Sequence, residues 1–303
     1  METKKIGFIG FGEVGRTFSK EMRARGAEVY YHDIVDKKPE EGIGFLPLPA
    51  LIQTCDIILS TVATHIAAEI AQKVVSFLNS EKTYADMNST SPSIKIKISE
   101  IVRPSHASFI EGAILSAIGE AGARASILVS GKEAEAFSRV MNRFGLVNVK
   151  HLSSHIGDAS RVKMIRSIFS KGVECLLLEM LIAGKRAGVA DYVWKDIVDF
   201  MTGHAFDKVA ENWIKTHPMA CERRYHEMLQ VMETLEEVNV PPTMTQGTKD
   251  FFLRSFEMGL GSQFSEKPDN FWDVPYTISK KLEALPGKEG ESNDPLSASK
   301  GHL

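Results

Sequence analysis

Ile6-Gly7-Phe8-Ile9-Gly10-Phe11-Gly12-Glu13-Val14-Gly15 is the stretch on which the reading of this chain turns. Ile6 to Gly10 is short and apolar, the pattern of a strand buried on both faces. Val14 to Arg25 then carries Phe18 and Met22 four residues apart, as one face of a helix does. Between strand and helix lies Gly10-x-Gly12-x-x-Gly15. Gly10 permits a tight turn, Gly12 lets backbone approach a pyrophosphate, and Gly15 lets the helix pack close to the strand. The helix N-terminus adds N–H groups and a positive dipole end. Glu28 to His32 (EVYYH) reads as the next strand, and Asp33 ends it. That is the spacing at which a carboxylate binds the adenosine ribose hydroxyls. The pattern therefore nominates Gly10, Phe11, Gly12, Glu13, Val14, Gly15 and Asp33 as a dinucleotide-binding set. A carboxylate at Asp33 repels the 2′-phosphate of NADP, which favours NAD. Lys37 and Lys38 soften that repulsion, so NADP stays open.

Working outward, strand and helix patterns alternate through the first half. Asp56 to Val62 (DIILSTV), Thr83 to Met87, Ser108 to Leu115, Ala125 to Ser130 and Asn148 to Leu152 read as strands. His65 to Leu78, a segment opening at Pro92, and Lys132 to Phe144 read as helices. Such alternation predicts an open, mostly parallel sheet with helices on both faces. Near residue 155 the character changes. Ala159 to Ala187 is one long helical pattern, and almost no strand signal follows. Trp194 to Met201, Ala205 to Lys215, Met219 to Glu237 and Met244 to Met258 read as helices punctuated by Pro218, Pro241 and Pro242. The fold class is α/β: an N-terminal Rossmann doubly wound parallel sheet over 1–155, followed by an all-α domain over 156–285. The small, polar stretch 286–303 reads as a disordered tail.

The chain has 303 residues, 43% hydrophobic and 25% charged, which excludes disordered, collagenous and coiled-coil classes. A formal net charge of -3 gives no reason to expect nucleic acid or an anionic membrane as partner. No run is long and apolar enough for a membrane span. Cys55, Cys175 and Cys221 are sparse and widely spaced, which suits a reducing, cytoplasmic setting. His151 and His155 are four apart, but the Ser153-Ser154 and Gly157 context predicts a loop and no third ligand is close, so no metal site is expected. Serine-hydrolase and P-loop patterns are absent.

The sequence resembles the β-hydroxyacid dehydrogenase family, which includes 3-hydroxyisobutyrate dehydrogenase and 6-phosphogluconate dehydrogenase. The resemblance rests on IGFIGFGEVG at the N-terminus and on Asp86-Met87-Asn88-Ser89-Thr90-Ser91-Pro92, similar to the family's segment beside the nicotinamide. It rests also on EGAILSAIGEAGARASILVSG (Glu111 to Gly131), where the family carries its substrate-binding S-G-G, and on GDASRVK (Gly157 to Lys163), similar to the family's G-x-G-x-x-x-K. The stretch ERRYHEMLQVMETLEEVNVPPTM looks like a subgroup described loosely as 6-phosphogluconate dehydrogenase-like. Two positions depart from the pattern. Ser167 stands where the family has Asn, and Leu115-Ser116-Ala117 replaces S-G-G.

The resemblance implies an NAD(P)-dependent oxidoreductase acting on the CH–OH group of a small 3-hydroxy acid or related hydroxyl compound. Such a reaction needs a positioned base for the hydroxyl proton, and the resemblance gives that part to Lys163. Ser167, Ser170 and Glu174 share its helical stripe. Lys171 is the second candidate. The resemblance places Asn88 at the nicotinamide, with Ser89, Thr90, Ser116 and Ser167 toward a small anionic substrate. Asn88 to Thr90 read equally as a capping cluster for the helix at Pro92, and Ser116 as a plain turn residue. Thr61, Val62 and Ala63 end a strand and line the cofactor pocket through backbone. Arg223, Arg224 and His226 either reach the substrate or form a solvated face. Trp194, Trp213 and Trp272 read as core or interface, and a homodimer is expected. Two rivals remain: imine reduction on the same fold, and a non-catalytic dinucleotide-binding protein.

Overall fold

The structure is a computed structural model, and it describes residues 3–35, 37–38 and 40–284; the predicted tail 286–303 lies outside them. Eight strands form one sheet: β1 (Lys5–Ile9), β2 (Glu28–His32), β3 (Ile43–Phe45), β4 (Ile57–Ser60), β5 (Thr83–Asp86), β6 (Ser108–Ile114), β7 (Ile127–Ser130) and β8 (Val149–Ser153). Their order is β3-β2-β1-β4-β5-β6-β7-β8. Every pairing is parallel except β6 with β7. The order reverses between β1 and β4, which leaves a crevice at the carboxyl ends of these two strands, where open α/β sheets bind ligands.

Both faces of the sheet are buried, as parallel strands require. Ile6, Phe8, Ile57, Leu59 and Val129 pack on one side with Phe18 and Met22 of α1 (Glu13–Ala24) and Phe137 and Met141 of α6 (Ala134–Arg143). Ile9, Ile58 and Tyr84 pack on the other with α2 (Leu48–Thr54), α3 (Ala67–Val74) and α4 (Pro92–Val102). Gly7 faces this second side, where a Cβ would lie 2.9 Å from the Cys55 sulfur. Burial there pushes the Cys55 thiol up to about 12. Cys55, Cys175 and Cys221 are all free thiols; Cys175 is exposed and the other two are buried. A short α5 (Ile118–Ala121) follows β6.

The long helix predicted from residue 159 is α7 (Asp158–Arg186). After it come α8 (Ala190–Gly203), α9 (Phe206–Glu237), α10 (Thr243–Glu257), α11 (Leu260–Gln263) and α12 (Asp273–Glu283). The chain forms two compact units, residues 1–170 and 171–303. The division falls after Ser170, inside α7. The first turns of α7 belong with the sheet because the buried Glu111 of β6 accepts hydrogen bonds from the Gly157 and Ser160 amides, the latter at 2.6 Å. Arg166 adds a bond to the Leu115 carbonyl at 2.8 Å.

One expectation is corrected. Pro218 does not separate two helices; α9 runs through it. A proline removes one N–H and crowds one carbonyl, and tertiary packing of the buried Pro218 outweighs that loss. Trp194, Trp213 and Trp272 are each about half exposed (47%, 48% and 51%), so of core and interface only the interface reading stays open. His151 lies on β8, as the strand reading of Asn148 to Leu152 has it, and His155 lies in the bend that follows. In the second unit, Glu179 accepts bonds from the Met244 and Thr245 amides and from the Thr245 hydroxyl, and so caps α10. No helix among the described residues is long and apolar enough to cross a membrane.

Candidate active site

The glycine-rich turn has the shape that its sequence predicts. Gly10 takes φ +91, and a Cβ there would lie 2.5 Å from the Thr61 carbonyl oxygen. A Cβ on Gly15 would lie 2.5 Å from the Gly10 oxygen, so α1 seats directly on the turn. Gly12 differs from both. Its backbone is extended (φ -77, ψ -156), and a Cβ on it would meet nothing within 4 Å. No packing within the protein demands glycine there; in glycine-rich turns of this kind the second glycine lets protein backbone approach a pyrophosphate. No side chain caps the first turn of α1, which leaves the dipole end for an anion. Asp33 closes the turn, accepting the Phe11 amide at 2.7 Å and the Val35 amide at 2.9 Å. The Lys37 ammonium lies 3.8 Å from the same carboxylate.

Beside the turn opens a cleft of about 280 Å³ lined by Val14, Thr61, Val62, Thr64, Met87, Asn88, Ser89, Ile114, Ser116, Ile118 and Lys163. Lys163, six residues into α7, is half-buried. Burial, and then the nearby charge of Lys95, hold its ammonium below the ordinary lysine range. It is the one charged side chain among these lining residues. Asn88 and Ser89 follow β5, and Ser116 follows β6, accepting the Ser126 amide at 3.1 Å. Ser91, not Asn88 or Thr90, caps α4, accepting the Ile94 amide at 3.4 Å.

Other predicted residues fall elsewhere. Thr90 is buried, with its hydroxyl unpartnered among the described residues. Ala63 is exposed and precedes the lining residue Thr64. The Ser167 hydroxyl donates to the Lys163 carbonyl at 2.9 Å and does not line the cleft. Lys171 is exposed and pairs with Glu174 at 3.2 Å. Arg223 pairs with Glu227, while Arg224 bonds the Thr216 hydroxyl at 2.9 Å, so the two arginines form no single cluster.

A buried polar row beneath the cleft was not anticipated. Ser60, Asp86, Glu111 and Ser130 stand opposite one another across adjacent strands, all fully buried. Lys95 of α4, also fully buried, donates to Asp86 Oδ1 at 2.5 Å, to the Asp86 carbonyl at 2.8 Å and to the Gly112 carbonyl at 3.2 Å. An aspartate closing an otherwise apolar strand was the available signal in the sequence.

With this geometry in place, similarity to known proteins is informative. Residues 5–151 match the NAD binding domain of 6-phosphogluconate dehydrogenase, and residues 185–254 match a domain of unknown function. The conserved protein MTH1747, of unknown function and described as structurally similar to 3-hydroxyacid dehydrogenases, is 30% identical; the match covers 84% of this chain and 99% of that one, with a TM-score of 0.56. This chain belongs to the 3-hydroxyacid dehydrogenase family. The 2-(hydroxymethyl)glutarate dehydrogenase of Eubacterium barkeri is 22% identical over 91% of this chain and 97% of its own. An imine reductase variant from Myxococcus stipitatus in complex with NAD+ shares the fold, at a TM-score of 0.77 and 16% identity over 93% of this chain and 100% of that one. The N-terminal unit of this family member is thus an NAD-binding domain.

Proposed function

We propose that this member of the family is an NAD(P)-dependent oxidoreductase acting on the CH–OH group of a small 3-hydroxy acid or related hydroxyl compound, with Lys163 as general acid/base. The observation that carries the reading is the position of Lys163: half-buried, at the cleft beside the glycine turn, with its ammonium destabilised by burial. A bound nicotinamide supplies the hydride acceptor. Gly12 and the first turn of α1 hold the pyrophosphate, and Asp33 meets the adenosine ribose, which favours NAD. Asn88, Ser89 and Ser116 orient the reacting groups. Lys163 in its neutral form takes the hydroxyl proton; in the reverse direction it returns that proton to the carbonyl oxygen. A lysine held below its ordinary range gives up its proton more readily, which suits both directions.

Imine reduction is the second reading, favoured by the scarcity of cations at the cleft. Lys163 is the only one among the lining residues, and Ser167, in the family's Asn position, spends its hydroxyl on backbone. One experiment separates the readings: nicotinamide absorbance followed with both cofactors across 3-hydroxy acids and cyclic imines. Turnover of hydroxy acids supports the first and turnover of imines the second. Tight dinucleotide binding without either supports a non-catalytic protein.

The same reading includes a homodimer in the cytoplasm. Ile165, Ile168 and Leu178 on α7 are 60%, 75% and 55% exposed, a large apolar surface for a lone chain. Light scattering of the purified protein tests the dimer. Three free thiols support a reducing compartment.

A further inference from the structure

The Asn88 amide sits under the cleft in a constrained setting. Its Nδ2 donates to Asp86 Oδ2 at 2.8 Å and to the Ser60 hydroxyl at 3.0 Å, and its backbone N–H reaches Asp86 Oδ1 at 3.3 Å. Its Oδ1 is buried and has no partner among the described residues. An ionised carboxylate only accepts hydrogen bonds. Asn88 must therefore turn its NH2 toward Asp86, and its carbonyl oxygen must face the other way. The Ser60 hydroxyl does not enforce this, because it can donate or accept. A buried carboxylate needs a counter-charge; otherwise it takes up a proton and becomes a donor. Lys95 supplies that charge with direct contact to Asp86 Oδ1 and two backbone carbonyls satisfying the rest of its ammonium.

We propose that Asp86 and Lys95 are positioning residues: the ion pair fixes the Asn88 amide so that its Oδ1 is presented as a pure acceptor, and the bound dinucleotide must offer an N–H donor to it. This deepens the dinucleotide-binding reading and rests on it. A nicotinamide ring carries such a donor in its carboxamide; a nicotinate ring carries a carboxylate, a second acceptor. An orphaned buried acceptor costs about 1–3 kcal/mol, which corresponds to a preference for the carboxamide of roughly 5- to 150-fold.

The test is the affinity ratio of NAD to nicotinic acid adenine dinucleotide, measured by calorimetry on the full chain. The wild type is expected to favour NAD by about tenfold or more. The double variant D86N/K95M removes both charges together, so no buried charge is left alone. An amide at position 86 pairs with either orientation of Asn88, and the ratio is expected to fall toward unity. S60A leaves the carboxylate in place and is expected to keep the ratio, which a general loosening of the site would not. A wild type that binds both dinucleotides equally, a double variant that keeps the full ratio, or an S60A variant that loses it overturns the proposal while dinucleotide binding stands. A wild type that binds neither dinucleotide overturns the underlying reading and the proposal with it.

Discussion

Gly12→Ala separates a ligand-imposed glycine from glycines imposed by the protein. The position is extended, with φ -77, and an added Cβ meets nothing within 4 Å. Loss of chain freedom in the unfolded state stabilises such a change by about 0.4–1 kcal/mol. Alanine is a poorer residue than glycine ahead of a helix, which offsets a similar amount. The melting temperature should therefore stay close to wild type. The new methyl stands where the pyrophosphate would approach, and losing one charge-assisted hydrogen bond of about 1.5–3 kcal/mol weakens binding roughly 10- to 150-fold. Gly15→Ala should behave in the opposite way at the level of folding. Its Cβ would lie 2.5 Å from the Gly10 backbone oxygen, which cannot swing aside. Overpacking of this kind costs about 1–3 kcal/mol, or about 2–4 °C in melting temperature per kcal/mol. Thermal melts and NADH fluorescence titration read the two effects. If Gly12→Ala binds NADH as tightly as the wild type, or melts as early as Gly15→Ala, the assignment of the space above Gly12 to a phosphate is wrong.

Three further outcomes are expected. Lys163→Ala should lower turnover by about 10²–10⁴-fold with dinucleotide affinity nearly unchanged. In the wild type, oxidation should rise and reduction fall with pH through an apparent pKa below the usual 10.5, since burial and Lys95 lower the Lys163 value; a limb at or above 10.5 would remove the role. The linked stability follows the same sign: holding the buried ammonium disfavours the folded state below the lowered pKa, and stability recovers as pH rises toward 10.5. Asp33→Ser should move the NADPH-to-NADH affinity ratio up by about tenfold, because a carboxylate no longer faces the 2′-phosphate and Lys37 remains; paired fluorescence titrations check it, and an unmoved ratio counts against Asp33 as the selector. Glu111→Gln should cost about 1–3 kcal/mol in urea unfolding, since one carboxylate serves both the Gly157 and Ser160 amides.

The fold was legible wherever one period dominated a segment. Glu28 to His32 came out residue for residue, and the strand–turn–helix at Gly10 to within a residue. The edge strand β3 was missed because three residues of Ile-Gly-Phe carry no period and little β signal of their own. Pro218 misled because local propensity was weighed without the packing that outranks it. Lys95 was hidden for a related reason. In Ile94-Lys95-Ile96-Lys97 the charged residues look like a solvated face, yet Lys95 is fully buried while Ile96 is 40% exposed. Only the partner at Asp86, nine residues away in sequence and on another element, explains the inversion. Pairings of that kind are set by topology, and single-sequence periodicity does not report them.

Cys175 has a use that its two companions lack. It lies mid-way along α7, near the outward-facing Val173, Leu176 and Leu178, and it alone of the three thiols is accessible. A thiol-specific dye should therefore react at a single position on the folded chain and pass over Cys55, whose sulfur is shut beneath the sheet. Its labelling rate becomes a native gauge of whether that stretch of helix is wetted or covered, readable at any protein concentration without altering a residue.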